Sequence, residues 1–190
     1  MDNQYSEDLD QAQALLEEAG YGEGGESIEL TLEGVNNPTY VRNTMVIAAG
    51  HLNRLPNVNI EVLQQSVDTW YAESWQKARF YISWWSGGVT EAYRLRRIWH
   101  SDGQYNEAAF SDDEFDQAVD TAARSTSKEE RAAAIQKACA ILHERGPSII
   151  PIFLDKAATN HDYTHGFEAY PYNRIVRSHE IWLDENAPTK

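Results

Sequence analysis

Apolar positions recur along this chain with two periods that trade places. Leu9, Ala12, Leu15, Leu16 and Ala19 form one stripe at helical spacing. Asp8 with Gln11 three residues later marks the start of that helix, and Gly20 its end. Ile28, Leu30 and Leu32 then alternate with Glu29 and Thr31, as in a half-buried strand. A loop with Gly34, Asn36, Asn37 and Pro38 follows. Val41, Met45, Ala48 and Leu52 predict a helix over 39–55, which Pro56 stops. Val58, Ile60 and Val62 predict a second strand. Ser66 or Asp68 caps a helix carrying Trp70, Tyr71, Trp75 and Ala78.

Residues 80–85 predict a third strand, with Phe80, Ile82 and Trp84 on one face and Tyr81, Ser83 and Trp85 on the other. A helix over 91–99 is a weaker expectation. Two capping boxes, Ser111 with Glu114 and Ser127 with Glu130, open the next two helices. Phe115, Val119 and Ala122 face inward on the first, and Ile135, Cys139 and Leu142 on the second. Ile149 to Leu154 predict a final strand, an edge or a bulge because of Pro151. The remainder is irregular, with Tyr163, Phe167, Tyr170, Tyr172 and Trp182 available to pack. The order α-β-α-β-α-β-α-α-α-β predicts an α/β domain with a partly parallel sheet.

Composition narrows the class. The 190 residues suffice for a packed core without disulfides or metal, and Cys139 is the one cysteine, so no internal disulfide forms. No apolar run reaches the ~18 residues of a membrane span, and no signal peptide opens the chain. The formal net charge of −14 opposes binding to nucleic acid or anionic lipid. Thirty acidic residues face five lysines and eleven arginines along the whole chain. That balance reads either as an ordinary acidic surface or as adaptation to high salt, where screening removes self-repulsion.

Candidate chemistry is sparse. His161 and His165 have the i,i+4 spacing of zinc ligands, but Tyr163, Thr164 and Gly166 make a poor helix and the zincin glutamate is missing. Loop histidines are the simpler reading. Cys139 lies on an apolar stripe, as a buried inert thiol does. No nucleophile elbow, phosphate loop or dinucleotide fingerprint occurs. No metal or cofactor is expected. The cluster Arg94, Arg96 and Arg97 reads as a solvated helix face or as a site for a carboxylate or phosphate. The end of the third predicted strand says more. Tyr81, Trp84 and Trp85, followed by Ser86, Gly87 and Gly88, combine flat apolar surface with open backbone amides, which suits a ligand cleft. The alternative is that the tryptophans are core.

Taken in order, these segments resemble one family. DLDQAQALLEEAGY is similar to the D-x-x-x-A-x-x-L-L-x-x-A-G-Y start of a lobe in the family 5 extracellular solute-binding proteins, the dipeptide, oligopeptide and nickel receptors of ABC importers. IELTLEGVNNP, LNRLPNVNIEVLQQSVDTWYAE, ARFYISWWSGG, the stretch from AAFSDDEFD to GPSIIPIF, and HGFEAYP resemble later family segments, over about residues 5–170. The resemblance implies an α/β lobe of the periplasmic-binding-protein type (type II, cluster C), with a mixed, partly parallel sheet flanked by helices. It implies that residues 1–190 form a single domain, the C-terminal lobe of a bilobal receptor whose N-terminal lobe and signal peptide are absent. The implied role is binding without catalysis, periplasmic or extracellular and membrane-associated through the parent protein. The implied partners are a small solute (peptide, opine, sugar or chelate), an ABC permease and the missing N-terminal lobe. Peptide binders of the family carry an Asp after the tryptophan strand for the peptide amino terminus. WWSGGVTEAY has none, and Glu91 is the nearest acid. Trp85, Ser86, Gly87 and Gly88 are the foremost cleft candidates by position, with Tyr81, Asn106 and Asn36 added. Two other roles stay open, a small hydrolase using the Ser86 region and a ligand-free regulatory or scaffold module.

Overall fold

Two alternating segments meet first. β1 (Ile28–Val35) and β2 (Val58–Gln65) pair in parallel with Ile28 opposite Val58 and Val35 opposite Gln65. The computed structural model describes residues 8–85, 90–154, 159–168 and 177–188. Two parallel strands need a crossover, and α2 (Thr39–Leu52) supplies it. Val41, Met45 and Ala49 of α2 are buried, with Ala48 and Leu52 packed at the edge of the same cluster. The helix ends at Leu52, ahead of Pro56, and its last turn leads into Asn53. The Asn53 amide exchanges two hydrogen bonds with the backbone of Ile60, so it occupies part of the open edge of β2.

α1 (Leu9–Glu18) starts as expected, with Asp8 accepting from Gln11 N–H at 2.9 Å. It ends in a Schellman motif: Tyr21 N–H bonds Leu16 C=O, Gly20 N–H bonds Glu17 C=O, and Gly20 takes φ +88°. None of its residues is fully buried.

The third predicted strand is reduced to one bridge. Tyr81 pairs with Glu33 in parallel, through Glu33 N–H to Phe80 C=O and Ile82 N–H to Glu33 C=O, and the ladder goes no further. The approach is close because β1 has Gly34 there. A Cβ on Gly34 would stand 2.4 Å from Ile82 Cγ2 and 2.6 Å from Met45 Sδ. α3 (Val67–Glu73) is capped by Ser66, not Asp68, and places Trp70 in the core. Ser74, fully buried, links Glu33 and Gln65 at 2.5 Å each.

A second half follows in sequence. α4 (Glu91–Trp99) is capped by Thr90. α5 (Asp113–Arg124) and α6 (Lys128–Arg145) pack on each other around Phe115, Val119, Ala138 and Ile141. Asp112, not Ser111, caps α5, accepting from Phe115 N–H at 2.9 Å. Ser127 caps α6 as expected. Ala134, Ala138 and Ile141 are the buried positions of α6, while the expected Ile135, Cys139 and Leu142 sit one residue round the helix and are half-buried. Burial raises the Cys139 thiol pKa above its ordinary value. Residues 28–84 thus hold one apolar cluster and residues 92–142 two smaller ones, with Ile135 packed against both of the smaller.

The chain divides into two compact units, Met1–Ser148 and Ile149–Lys190. In the second, Ile149–Leu154 is not a strand: it has no ladder partner among the described residues, and its apolar side chains are exposed. The expected irregular stretch contains a short ladder instead, β3 (Thr164–His165) antiparallel to β4 (Trp182–Leu183). His165 stacks on Trp182 at 4.3 Å and lies 2.8 Å from Asp184, while His161 stacks on Tyr163. The two histidines therefore share no helix face. The His165 hydrogen bond and the Asn186 backbone N–H hold the Asp184 carboxyl below its usual range. Tyr170 and Tyr172 lie outside the described residues. No helix among the described residues is long and apolar enough to cross a membrane. The fold is mixed α/β, with a parallel sheet and flanking helices.

Candidate functional site

Where the two halves of the first unit meet, the chain leaves a cavity of about 230 Å³. One wall comes from α3 and the segment after it: Trp70, Tyr71 and Trp75. Ser83, Trp84 and Trp85 from the truncated third strand add a second wall. Arg97 of α4, with Tyr105 and Glu107 of the α4–α5 loop, closes the far side.

The aromatic walls have one root. Trp70 is buried (2% exposed), and its ring lies 5.2 Å from Trp84 and 4.9 Å from Tyr71. Tyr105 bridges the halves, 6.0 Å from Trp75 and 5.7 Å from Trp85. The period-two reading of residues 80–85 is visible in part, since Tyr81 also packs against the core and Trp84 also lines the cavity. Tyr81, Ser83 and Trp85 all reach Glu107, while Phe80, Ile82 and Trp84 pack on the core of the first half. Trp84 is half-buried between that core and the cavity, and Trp85 is 38% exposed at the rim.

Glu107 organises this rim. Its Oε1 accepts from Trp75 Nε1 at 2.5 Å. Its Oε2 accepts from Ser83 Oγ at 2.6 Å and, more weakly, from Trp85 Nε1 at 3.4 Å. Its backbone C=O accepts from Tyr81 Oη at 2.8 Å. Burial, and then the Glu107 charge, push the Tyr81 pKa up to about 12, so the phenol stays a neutral donor.

Arg97 supplies the opposite charge. Its guanidinium carbon lies 4.3 Å from the Tyr105 ring centroid, 5.9 Å from Trp85 and 6.0 Å from Tyr93. Its Nε is buried and has no hydrogen-bond partner among the described residues. Arg96 is used differently: it is paired with Asp102 and Asp120, as a structural cation.

The sequence candidates are dispersed by comparison. Trp85 lines the cavity. Ser86, Gly87 and Gly88 lie outside the described residues. Tyr81 is beneath the rim, bonded to the Glu107 backbone. The Asn106 side chain holds its own loop, bonding the backbone of His100 and Phe110. Asn36 is exposed at the end of β1, with its N–H on Gln65 C=O, and is not part of the cavity wall. Glu107 and Tyr105 carry no sequence signal, being single residues in a loop without period. Arg97 was visible only as one member of an arginine cluster.

The chain matches no protein-family profile and no curated protein. It does match solved structures. It is similar to a nickel ABC transporter structure from Bacillus halodurans, with 21% identity and a TM-score of 0.60, over 74% of this chain and 32% of that one. It is similar to the Escherichia coli murein tripeptide binding protein MppA, with 22% identity and a TM-score of 0.62, over 72% and 27%. It is also similar to the ABC transporter-associated periplasmic binding protein DppA from Helicobacter pylori in complex with the peptide STSA. There the identity is 20% and the TM-score 0.63, over 75% and 28%. At these identities the likeness establishes the fold alone, which this chain shares with part of each of these structures. The chain spans about a third or less of the length of these three structures.

Proposed function

We propose that this chain is the substrate-binding lobe of an ABC-type importer, the C-terminal lobe of a two-lobed receptor. It captures a peptide or related small solute outside the membrane and passes it to a permease. The aromatic cavity of the first unit carries the reading, because it sits in a fold shared with proteins that hold peptides or a nickel chelate. Its volume, about 230 Å³, falls below the ~300–1,000 Å³ of complete small-molecule pockets. That shortfall supports a half-site, completed when an N-terminal lobe closes over it about a hinge. Capture needs stacking surface and a few fixed polar groups, and the cavity has both.

The test is native purification of the protein carrying this lobe, followed by denaturation and mass spectrometry of what is released. A small solute in stoichiometric amount is the expected result. Recovery of a macromolecular partner with no small solute refutes the reading. The isolated 190-residue chain is expected to bind weakly or undetectably, since it offers half the contacts; micromolar affinity from it alone contradicts the half-site.

A further inference from the structure

We propose that the cavity is regulated by pH, through a buried imidazole that fixes its far wall. Protonated His100 draws the α4–α5 loop onto its two helices and holds Tyr105 and Glu107 in place for capture; loss of the proton loosens them. This rests on the cavity being a ligand site, and goes further by naming what controls it.

His100 follows the last turn of α4 and is 7% exposed. Charged groups face its ring from α4, the loop and α5. Arg96 of α4 has Nη1 3.3 Å from Nε2. Asp102 of the loop has Oδ1 2.5 Å from Nδ1. From α5, Asp116 Oδ1 lies 3.7 Å from Nδ1 and Asp120 Oδ1 3.7 Å from Nε2. Arg96 also pairs with Asp102 and Asp120, and Arg124 with Asp120. The neutral ring meets its two nearest contacts with the proton on Nδ1, which donates to Asp102 while Nε2 accepts from Arg96. Three carboxylates against two guanidinium groups leave this cluster with one negative charge in excess. A second ring proton removes the excess. Nε2–H then turns from Arg96 to Asp120, and the Nδ1–H bond to Asp102 becomes charged at both ends, the stronger kind. An imidazole is the side chain suited to such an exchange near neutral pH.

The same residue carries the loop. His100 C=O accepts from Gly103 N–H at 2.7 Å and from Asn106 Nδ2 at 3.2 Å, and Tyr105 N–H bonds Arg97 C=O at 3.0 Å. The fit has no slack: a Cβ on Gly103 would stand 2.6 Å from the Arg96 carbonyl oxygen. A shift of Asp102 on the ring is therefore passed to Tyr105 and Glu107. Those two residues close the cavity, and Glu107 accepts from the indole N–H groups of Trp75 and Trp85. The proton on His100 is thus felt at the indoles.

The test follows three signals by NMR in the full chain as pH is varied: the His100 ring, the indole N–H resonances of Trp75 and Trp85, and exchange of the Tyr105 amide. The expected result is that both indoles shift with the midpoint of the His100 ring. The Tyr105 amide, corrected for the intrinsic pH dependence of exchange, is expected to exchange about fivefold more slowly with the ring protonated, the gain of a charge-assisted bond over a neutral one. In His100→Gln both changes disappear. Solute retained on the natively purified protein through dialysis is expected to fall about fivefold from the acid to the alkaline side of that midpoint, and to be equal on both sides in His100→Gln. Indoles that stay unmoved across the His100 titration, or that still shift in His100→Gln, overturn the control by His100. Equal retention on both sides in the wild type overturns the regulation while the cavity remains a ligand site. Absence of any released solute overturns the ligand site and the regulation with it. The comparison of midpoints needs no substitution, so it stands even if the variant fails to fold.

Discussion

Replacing Glu107 perturbs the seam of the first unit at one point, and the geometry sets the cost. Its carboxylate accepts two short hydrogen bonds, from Trp75 Nε1 at 2.5 Å and Ser83 Oγ at 2.6 Å, and a long one from Trp85 at 3.4 Å. Bonds to a charged acceptor contribute about 1.5–3 kcal/mol each. Glu107 is only half-buried, so water screens it and the low end applies. Glu107→Ala removes both short bonds and is expected to cost about 3 kcal/mol. Glu107→Gln keeps one acceptor oxygen and turns the other into a donor, so about half that loss is expected, ~1.5 kcal/mol. Urea unfolding measures both, with the slope m unchanged because no surface is newly exposed in the native state. A double-mutant cycle of Glu107→Ala with Trp75→Phe isolates the pair, with a coupling of about 1 kcal/mol or more expected. Tyr81 supplies an independent readout. Its pKa, raised to about 12 by burial and then by the Glu107 charge, is expected to fall in Glu107→Gln yet remain above the ordinary value, since burial is the larger cause. In the wild type the sign is fixed. The unfolded phenol ionises near pH ~10 and the folded one about two units higher, so stability is lost as pH rises across that interval. A loss below about 0.5 kcal/mol in Glu107→Ala, within the scatter of surface substitutions, with Tyr81 unmoved, refutes the view that Glu107 holds the seam.

Three further outcomes are expected. Gly34→Ala puts a methyl against Ile82 and Met45 and is expected to destabilise by about 1–3 kcal/mol, as overpacking does; an unchanged urea midpoint refutes the close approach. Asp112→Ala is expected to cost about 1 kcal/mol by thermal melting, and Ser111→Ala a few tenths at most, because Asp112 makes the cap. Raising KCl to molar concentration shortens the Debye length to about 3 Å, so a chain of net charge −14 adapted to high salt is expected to melt at higher temperature there; no gain refutes that adaptation.

How much of this was legible depended on what each signal measures. Alternation over 28–32 and at Val58, Ile60 and Val62 reported a half-buried face correctly, and the parallel pair followed from the helix between them. The same alternation at 80–85 reported which side chains share a face, but not how far the ladder runs. A strand exists only where a neighbour presents free backbone groups, and Glu33 does so for one bridge. Ile149–Leu154 fails for the same reason: an apolar run has strand propensity, but it finds no ladder partner among the described residues. Ser111 with Glu114 reads as the capping box, yet Asp112 makes the cap, because the choice is made by the dihedral angles of one turn, which composition does not encode. The cavity was legible on one side. Its tryptophans formed a cluster in sequence, whereas Glu107 and Tyr105 arrive from farther along the chain, through a loop with no periodicity to betray them.

The apolar clusters of the first unit each draw on one continuous stretch, residues 28–84 or 92–142, whereas the cavity, with the Tyr81–Glu107 hydrogen bond beneath it, draws on both. Each stretch can therefore breathe locally while its own interior stays shut. A molecule lodged in the cavity grips the two stretches at once, and every partial opening that parts them must first release it. Occupancy is thus converted into cooperativity: an empty unit is free to melt in two steps, whereas a filled one is pushed toward one, at a temperature that climbs with the logarithm of ligand concentration.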